Sequence, residues 1–177
     1  QAFTYNETTL HPQRRPKAMM TKRKLLLSAL AMLSIAGLAA CNPAATDKDF
    51  AAVIHEAKTN YVGDNSKVIA IVSNLTYPHG AKFNSIEIHS AQEPYGLDVY
   101  LKTEGHSPTA DDLFKNAAVT FSLIGNLGQL NYLDANNHRP LASFSRTNTQ
   151  ERLKASQENS LEKIANSPES IKSYLEQ

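Results

Sequence analysis

The sequence predicts an α+β domain, with a four-stranded, mainly antiparallel sheet and helices packed on one face. Three observations carry that expectation. Two pairs of runs, 84–90 with 97–102 and 129–135 with 141–146, look like paired strands. The first pair shows the period-two alternation of half-buried β-structure. A stretch with apolar residues at helical spacing, Leu113, Phe114, Ala117, Phe121 and Ile124, separates the pairs. Helical patterns also precede and follow them. This order, two helices, two strands, a helix, two strands, then helices, belongs to α+β architecture.

The first helix is expected over 49–58, where Phe50, Val53, Ile54 and Ala57 share one face. Gly63 turns the chain. Asp64 or Asn65 then caps a second helix through Ile69, Ile71, Val72 and Leu75, because a short side-chain oxygen accepts from free N–H groups at a helix start. Tyr77-Pro78-His79-Gly80 ends it. In the first hairpin, Ile86 and Ile88 point one way and Glu87 and His89 the other. Leu97, Val99 and Leu101 likewise oppose Tyr100 and Lys102. With Pro94 and Tyr95 as a two-residue loop, Glu87 would face Lys102 and His89 would face Tyr100. A Glu87–Lys102 pair would then contribute ~0.2–1 kcal/mol.

Ser107-Pro108-Thr109-Ala110-Asp111-Asp112 starts the third helix, with proline in the first turn and acids near the positive end. Gly125 and Gly128 stop it. The second hairpin turns at Asn136-Asn137-His138-Arg139. Helices are expected at 151–157, at 161–165, and from Ser167-Pro168-Glu169 to the end.

The region before this domain reads as a leader. Met20 is followed by Lys22, Arg23 and Lys24, then by an uncharged apolar stretch from Leu25 to Leu38, 14 residues long. That length fits a signal-peptide core and falls short of a membrane span. Leu38-Ala39-Ala40-Cys41 resembles the lipobox of bacterial lipoproteins, in which a diacylglyceryl group joins the cysteine sulfur and cleavage precedes it. The expected organisation is a disordered upstream extension (1–19), a lipoprotein signal peptide (20–40), a tether (41–49) and one α+β domain (50–177). Acyl chains such as palmitate on Cys41 meet the two-signal requirement for stable anchoring. Eight residues from Asn42 to Asp49 reach at most ~29 Å, so the domain would sit close to the extracytoplasmic membrane face. Cys41 is the one cysteine, so no intrachain disulfide can form.

Charge excludes one class of partner. The chain has 18 basic and 17 acidic residues, but residues 1–40 hold six of the bases and one acid. From Cys41 onward 12 bases meet 16 acids, a formal charge of −4. A mildly acidic domain lacks the basic footprint of a nucleic-acid binder.

Three stretches carry a family resemblance: Tyr61-Val62-Gly63-Asp64-Asn65-Ser66-Lys67-Val68, Glu93-Pro94-Tyr95-Gly96-Leu97, and Ala117 through Asn126. Over about 55–155 the chain resembles domain of unknown function 4825. The resemblance implies a Gram-positive lipoprotein, or the extracytoplasmic part of a larger membrane protein, some of which are similar to the sensor metallopeptidases of β-lactam signalling. It carries no catalytic residues. It implies a sensory or accessory role exercised with a membrane sensor, transporter or peptidase.

Motifs for chemistry are sparse. His55-Glu56 lacks the second histidine that a zincin needs at i+4, since position 59 is Thr59. No metal spacing or cofactor motif stands out. No serine sits in a nucleophile elbow, and Gly125-Asn126-Leu127-Gly128 is a helix stop. His106, Asp111 and Asp112 suit a helix start. The candidate ligand or partner face comprises Glu87, His89, Tyr100 and Lys102, with the Tyr61 and Asp64 turn as a second candidate. A solvated strand face and a capped turn explain the same residues. The expected function is a non-catalytic binding or sensory accessory module; the alternative is a small exported hydrolase.

Overall fold

The computed structural model of the protein describes residues 49–156 and 159–177. Cys41, the signal segment, the upstream extension and most of the tether lie outside the described residues.

The elements are α1 (Phe50–Glu56), α2 (Asn65–Ser73), β1 (Lys82–His89), β2 (Gly96–Lys102), α3 (Ala110–Leu123), β3 (Gln129–Asp134), β4 (Pro140–Ser145), α4 (Arg146–Ala155), α5 (Leu161–Ile164) and α6 (Pro168–Glu176). One sheet has the order β1-β2-β3-β4. Its outer pairs are antiparallel hairpins, while β2 and β3 run parallel because α3 carries the chain back across the sheet. The expected α+β class and four-stranded, mainly antiparallel sheet are present.

Alternation sets the two faces. Leu97, Val99, Leu101, Leu130 and Tyr132 are fully buried and point into the core shared with the helices. Their neighbours Asp98, Tyr100, Asn131 and Leu133 form a half-exposed opposite face. The core continues through Ile54, Val68, Ile71, Leu113, Phe121 and Ile171. The buried Tyr132 hydroxyl has no hydrogen-bond partner among the described residues, and burial pushes its pKa up, so it stays protonated.

Caps fix the helix starts. Asp64 accepts from the Lys67 N–H, as its sequence position anticipates. Thr109 and Asp112 form a reciprocal capping box at α3. Helix α4 starts at Arg146, five residues before the expected Glu151. Ser145 caps it by accepting from Asn148 N at 3.2 Å. Only Thr149 and Leu153 of α4 are buried, so its first turn leaves no apolar signature in the sequence.

The register of the first hairpin differs from expectation. Glu87 faces Asp98, not Lys102, and Ile88 faces Leu97. His89 faces Gly96, not Tyr100. Lys102 faces Lys82. The connection is Ser90–Tyr95, with a cis Glu93–Pro94 peptide. Tertiary contacts use Pro94 and Tyr95, so they do not form a tight turn. The Tyr95 carbonyl accepts from Gly128 N at 2.9 Å and Gln129 N at 3.0 Å. A Cβ on Gly128 would stand 2.8 Å from Pro94 Cβ. The slip is four residues, an even number, so every side chain keeps its expected face while changing its partner.

Candidate functional site

Pairing across the whole sheet builds one row of polar side chains on its open face. Glu87 of β1 lies opposite Asp98 of β2, Asp98 opposite Asn131 of β3, and Asn131 opposite Ser143 of β4. Hydrogen bonds run along this row. The Ser143 hydroxyl donates to Asn131 Oδ1 at 2.7 Å, and Asn131 Nδ2 donates to Asp98 Oδ1 at 2.7 Å. The second Asp98 oxygen, Oδ2, is 3.1 Å from His89 Nε2. Gln129 Nε2 supports the row by donating to Ser143 Oγ at 2.8 Å. Asp98 is the least exposed of the charged members, its side chain 16% accessible against 49% for His89.

Tyr100 sits one row further along, opposite Ser85 and Leu133. Its hydroxyl donates to Glu87 Oε2 at 3.2 Å. Partial burial, then the Glu87 hydrogen bond and the charges of Glu87 and Asp98, push its pKa up, so the phenol remains a donor. The His138 ring, carried by the β3–β4 turn at a φ of 59°, tilts against Tyr100 with centroids 5.2 Å apart. Lys82 and Lys102 close the face at its far end, both exposed. Four residues of strand separate Lys102 from Asp98, or ~13 Å at ~3.3 Å each. The face is therefore polarised, acidic at one end and basic at the other.

The structure thus brings Glu87, His89 and Tyr100 together. It places Lys102 on the same face without pairing it to Glu87. Asp98, Gln129, Asn131, Ser143 and His138 complete the group and were missed. Period-two alternation could have assigned Asp98 to this face, because it shares the parity of Tyr100 and Lys102. The cross-sheet row needs the parallel β2–β3 register, which no local pattern encodes.

Tyr61 and Asp64 belong elsewhere. Asp64 serves as the α2 cap and lies 3.7 Å from Lys67 Nζ. Tyr61 is 68% exposed, on a loop held to the end of α3. There Thr59 N donates to Leu123 O at 2.9 Å and Gly125 N to Thr59 O at 2.8 Å. The Asn126 side chain accepts from Val62 N at 2.6 Å.

Clefts also lie on the helical side. One of about 450 Å³ is lined by His55, Lys58, Arg146 and Glu162, among others. Its cations are already engaged. Lys58 Nζ donates to Ala165 O at 3.3 Å. The Arg146 guanidinium donates to the carbonyls of Leu127, Phe121 and Ile124. Another cleft of about 280 Å³ is lined by Tyr77, Asp112, Lys115 and Asn116. His79 Nε2 contacts Asp112 Oδ2 at 3.1 Å, and the His106 ring packs edge-on against His79. Asp112 is held at about 2 by the Thr109 backbone and hydroxyl groups and by His79, which matches the capping role expected for it.

A family model described as a domain of unknown function (DUF4825) matches residues 54–147. The chain belongs to this family. No curated protein and no solved structure matches the chain. The DUF4825 segment contains all four strands, α2 and α3, and therefore the whole polar row. It also contains the three stretches of the resemblance, and these meet in space. The Thr59–Val62 loop pairs with Leu123–Asn126, and Tyr95 binds Gly128 just beyond it. Helices α5 and α6 lie outside the DUF4825 match.

Proposed function

We propose that the protein is a membrane-anchored extracytoplasmic lipoprotein, held by lipid on Cys41. Its DUF4825 domain acts as a non-catalytic binding or sensory accessory module through the open face of the sheet. The observation that carries this reading is the polar row from Glu87 to Ser143. Hydrogen bonds join its Asp98, Asn131 and Ser143, and the face that holds it is acidic at Glu87 and Asp98 and basic at Lys82 and Lys102. Such a face suits recognition by complementary charge, which steers encounter and fixes orientation. The short tether expected after Cys41 limits the partner to the membrane neighbourhood, such as a sensor, transporter or peptidase. Among the described residues no helix is long and apolar enough to cross a membrane, and this reading assigns anchoring to the lipid on Cys41.

A small exported hydrolase has less support. His89 and Asp98 form the base–carboxylate half of a nucleophilic site. Among the described residues, however, no hydroxyl or thiol lies within hydrogen-bond distance of His89.

The test is photocrosslinking in cells, with a photoreactive residue at Tyr100 or Lys102 and a control at the exposed Lys172 of α6. One membrane protein captured from both open-face positions and not from the control is the expected result. Equal capture from all three positions, or none from the sheet, would overturn the reading.

A further inference from the structure

From the juxtaposition of Glu87, His89 and Asp98, we infer that the open face carries a binding site for a divalent cation of the zinc class. These three side chains offer one nitrogen and two carboxylate groups, with ligand atoms within 4.8 Å of one another. Histidine with two carboxylates is a mixed donor set suited to first-row divalent metals rather than to the all-oxygen shells of calcium and magnesium. Two donors bound to zinc at ~2.1 Å stand ~3.4 Å apart at a tetrahedral angle. His89 Nε2 and Asp98 Oδ2 are already 3.1 Å apart. Glu87 is exposed and can close the remaining gap by side-chain rotation.

Three further observations support the assignment. Glu87 and Asp98 are directly opposed across an antiparallel pair, where like charges destabilise the sheet. A cation between them turns that repulsion into ligation. Next, groups outside the triad orient its members. Asn131, itself held by Ser143, binds Asp98 Oδ1 and leaves Oδ2 toward His89. Tyr100 occupies Glu87 Oε2. Hydrogen-bonded partners of this kind fix ligand geometry in metal sites. Gly96 adds room, since its hydrogen side lies beneath the His89 ring, whose Cδ2 is 3.4 Å from where a Cβ would stand. The three protein ligands leave one coordination position for water or for a group brought by a partner.

The inference rests on the reading of this face as the working surface, yet the two fail separately. A face that crosslinks a partner but binds no zinc overturns the cation site alone. A face that binds zinc but crosslinks nothing overturns the partner role alone.

The experiment is calorimetric titration of Zn²⁺ into the full chain carrying Cys41→Ser, which removes the competing thiol, with Mg²⁺ as the comparison. One Zn²⁺ per chain is expected, with little Mg²⁺ uptake. His89→Ala and Glu87→Gln should abolish binding, and both sites are exposed enough for the fold to survive, as circular dichroism would check. Asn131→Ala should weaken binding about 10- to 100-fold as a positioning residue. Co²⁺ substitution should give visible d–d bands that vanish in His89→Ala. Absence of Zn²⁺ binding, or affinity and Co²⁺ spectra unchanged in His89→Ala and Glu87→Gln, would overturn the site.

Discussion

Asp112 shows how much one exposed side chain can do. It accepts from the Thr109 backbone N–H at 2.8 Å and from the Thr109 hydroxyl at 2.7 Å, and it also contacts His79. These bonds favour its ionised form and hold its pKa at about 2, below the ordinary carboxylate value of 3.8. A carboxylate whose folded pKa is depressed contributes stability above its unfolded pKa and loses it as pH falls through the folded value. The contribution is therefore complete above about pH 4 and fades toward pH 2. Asp134, Glu162 and Glu169 are shifted the same way, chiefly by hydrogen bonds from Thr103 and from their own backbone N–H groups. Melting temperatures taken from pH 5 to pH 2 should fall less steeply in Asp112→Asn than in the unaltered chain. Parallel curves would mean that the capping box does not sense protonation. The Ser107–Asp112 sequence marks a helix start here with proline in the first turn, but the helix begins at Ala110 with Thr109 as its cap, so Pro108 lies outside it. His79 reaches the cap only through the fold, from a left-handed backbone position with a φ of 55°.

At the scale of elements, Arg146 decides how α3 ends. Its Nε donates to Leu127 O at 2.8 Å, and its Nη2 donates to Phe121 O at 2.8 Å and to Ile124 O. The last turn of a helix leaves carbonyls without partners, and a cation there also favours the helix dipole. Its guanidinium stands 5.5 Å from the Phe121 ring centroid. Partial burial lowers the Arg146 pKa, with Glu162 opposing that shift. Arg146→Ala should cost about 3 kcal/mol, because it strips a charged donor from several half-buried carbonyls. Arg146→Lys should recover less than half, since an ammonium cannot reproduce the planar fork. Urea denaturation would measure both, and a loss under about 1 kcal/mol for Arg146→Ala would refute the clamp. The sequence placed Arg146 at the end of a strand and ended α3 with Gly125 and Gly128. Those glycines do mark the stop, and Gly128 in addition gives Pro94 the room it needs.

For the whole molecule, the proposed role joins a lipid anchor to the open face of the sheet. A lipid on Cys41 would hold the domain at the membrane, while the polarised face would meet the partner. Cys41→Ser should move the protein from the membrane to the soluble fraction and abolish labelling by a radioactive fatty acid. Its melting temperature should stay unchanged, because the described core begins at Ala51, ten residues beyond Cys41. Retention of the variant in membranes would count against the anchor. The same molecule also explains why its family motifs are poor guides to chemistry. The stretches around Tyr61, Pro94 and Asn126 serve to dock loops against one another. The polar row lies on strands whose individual side chains look like ordinary solvated positions.

The sequence by itself determined the elements and their faces. Alternation in 84–90 and 97–102, apolar spacing in α3, a short polar cap at Asp64 and acids at the start of α3 are local signals, and local sterics and hydrogen bonding enforce them. Only the tertiary structure decided partners: which strand lies beside which, that β2 and β3 run parallel, and that Glu87 meets Asp98 where Lys102 was expected. Register depends on how the Ser90–Tyr95 connection docks on Gly128, a contact between residues more than thirty positions apart. A period of two assigns a side chain to a face and leaves its neighbour open to any even slip. The candidate face could therefore be read from the sequence, while the cation triad within it could not.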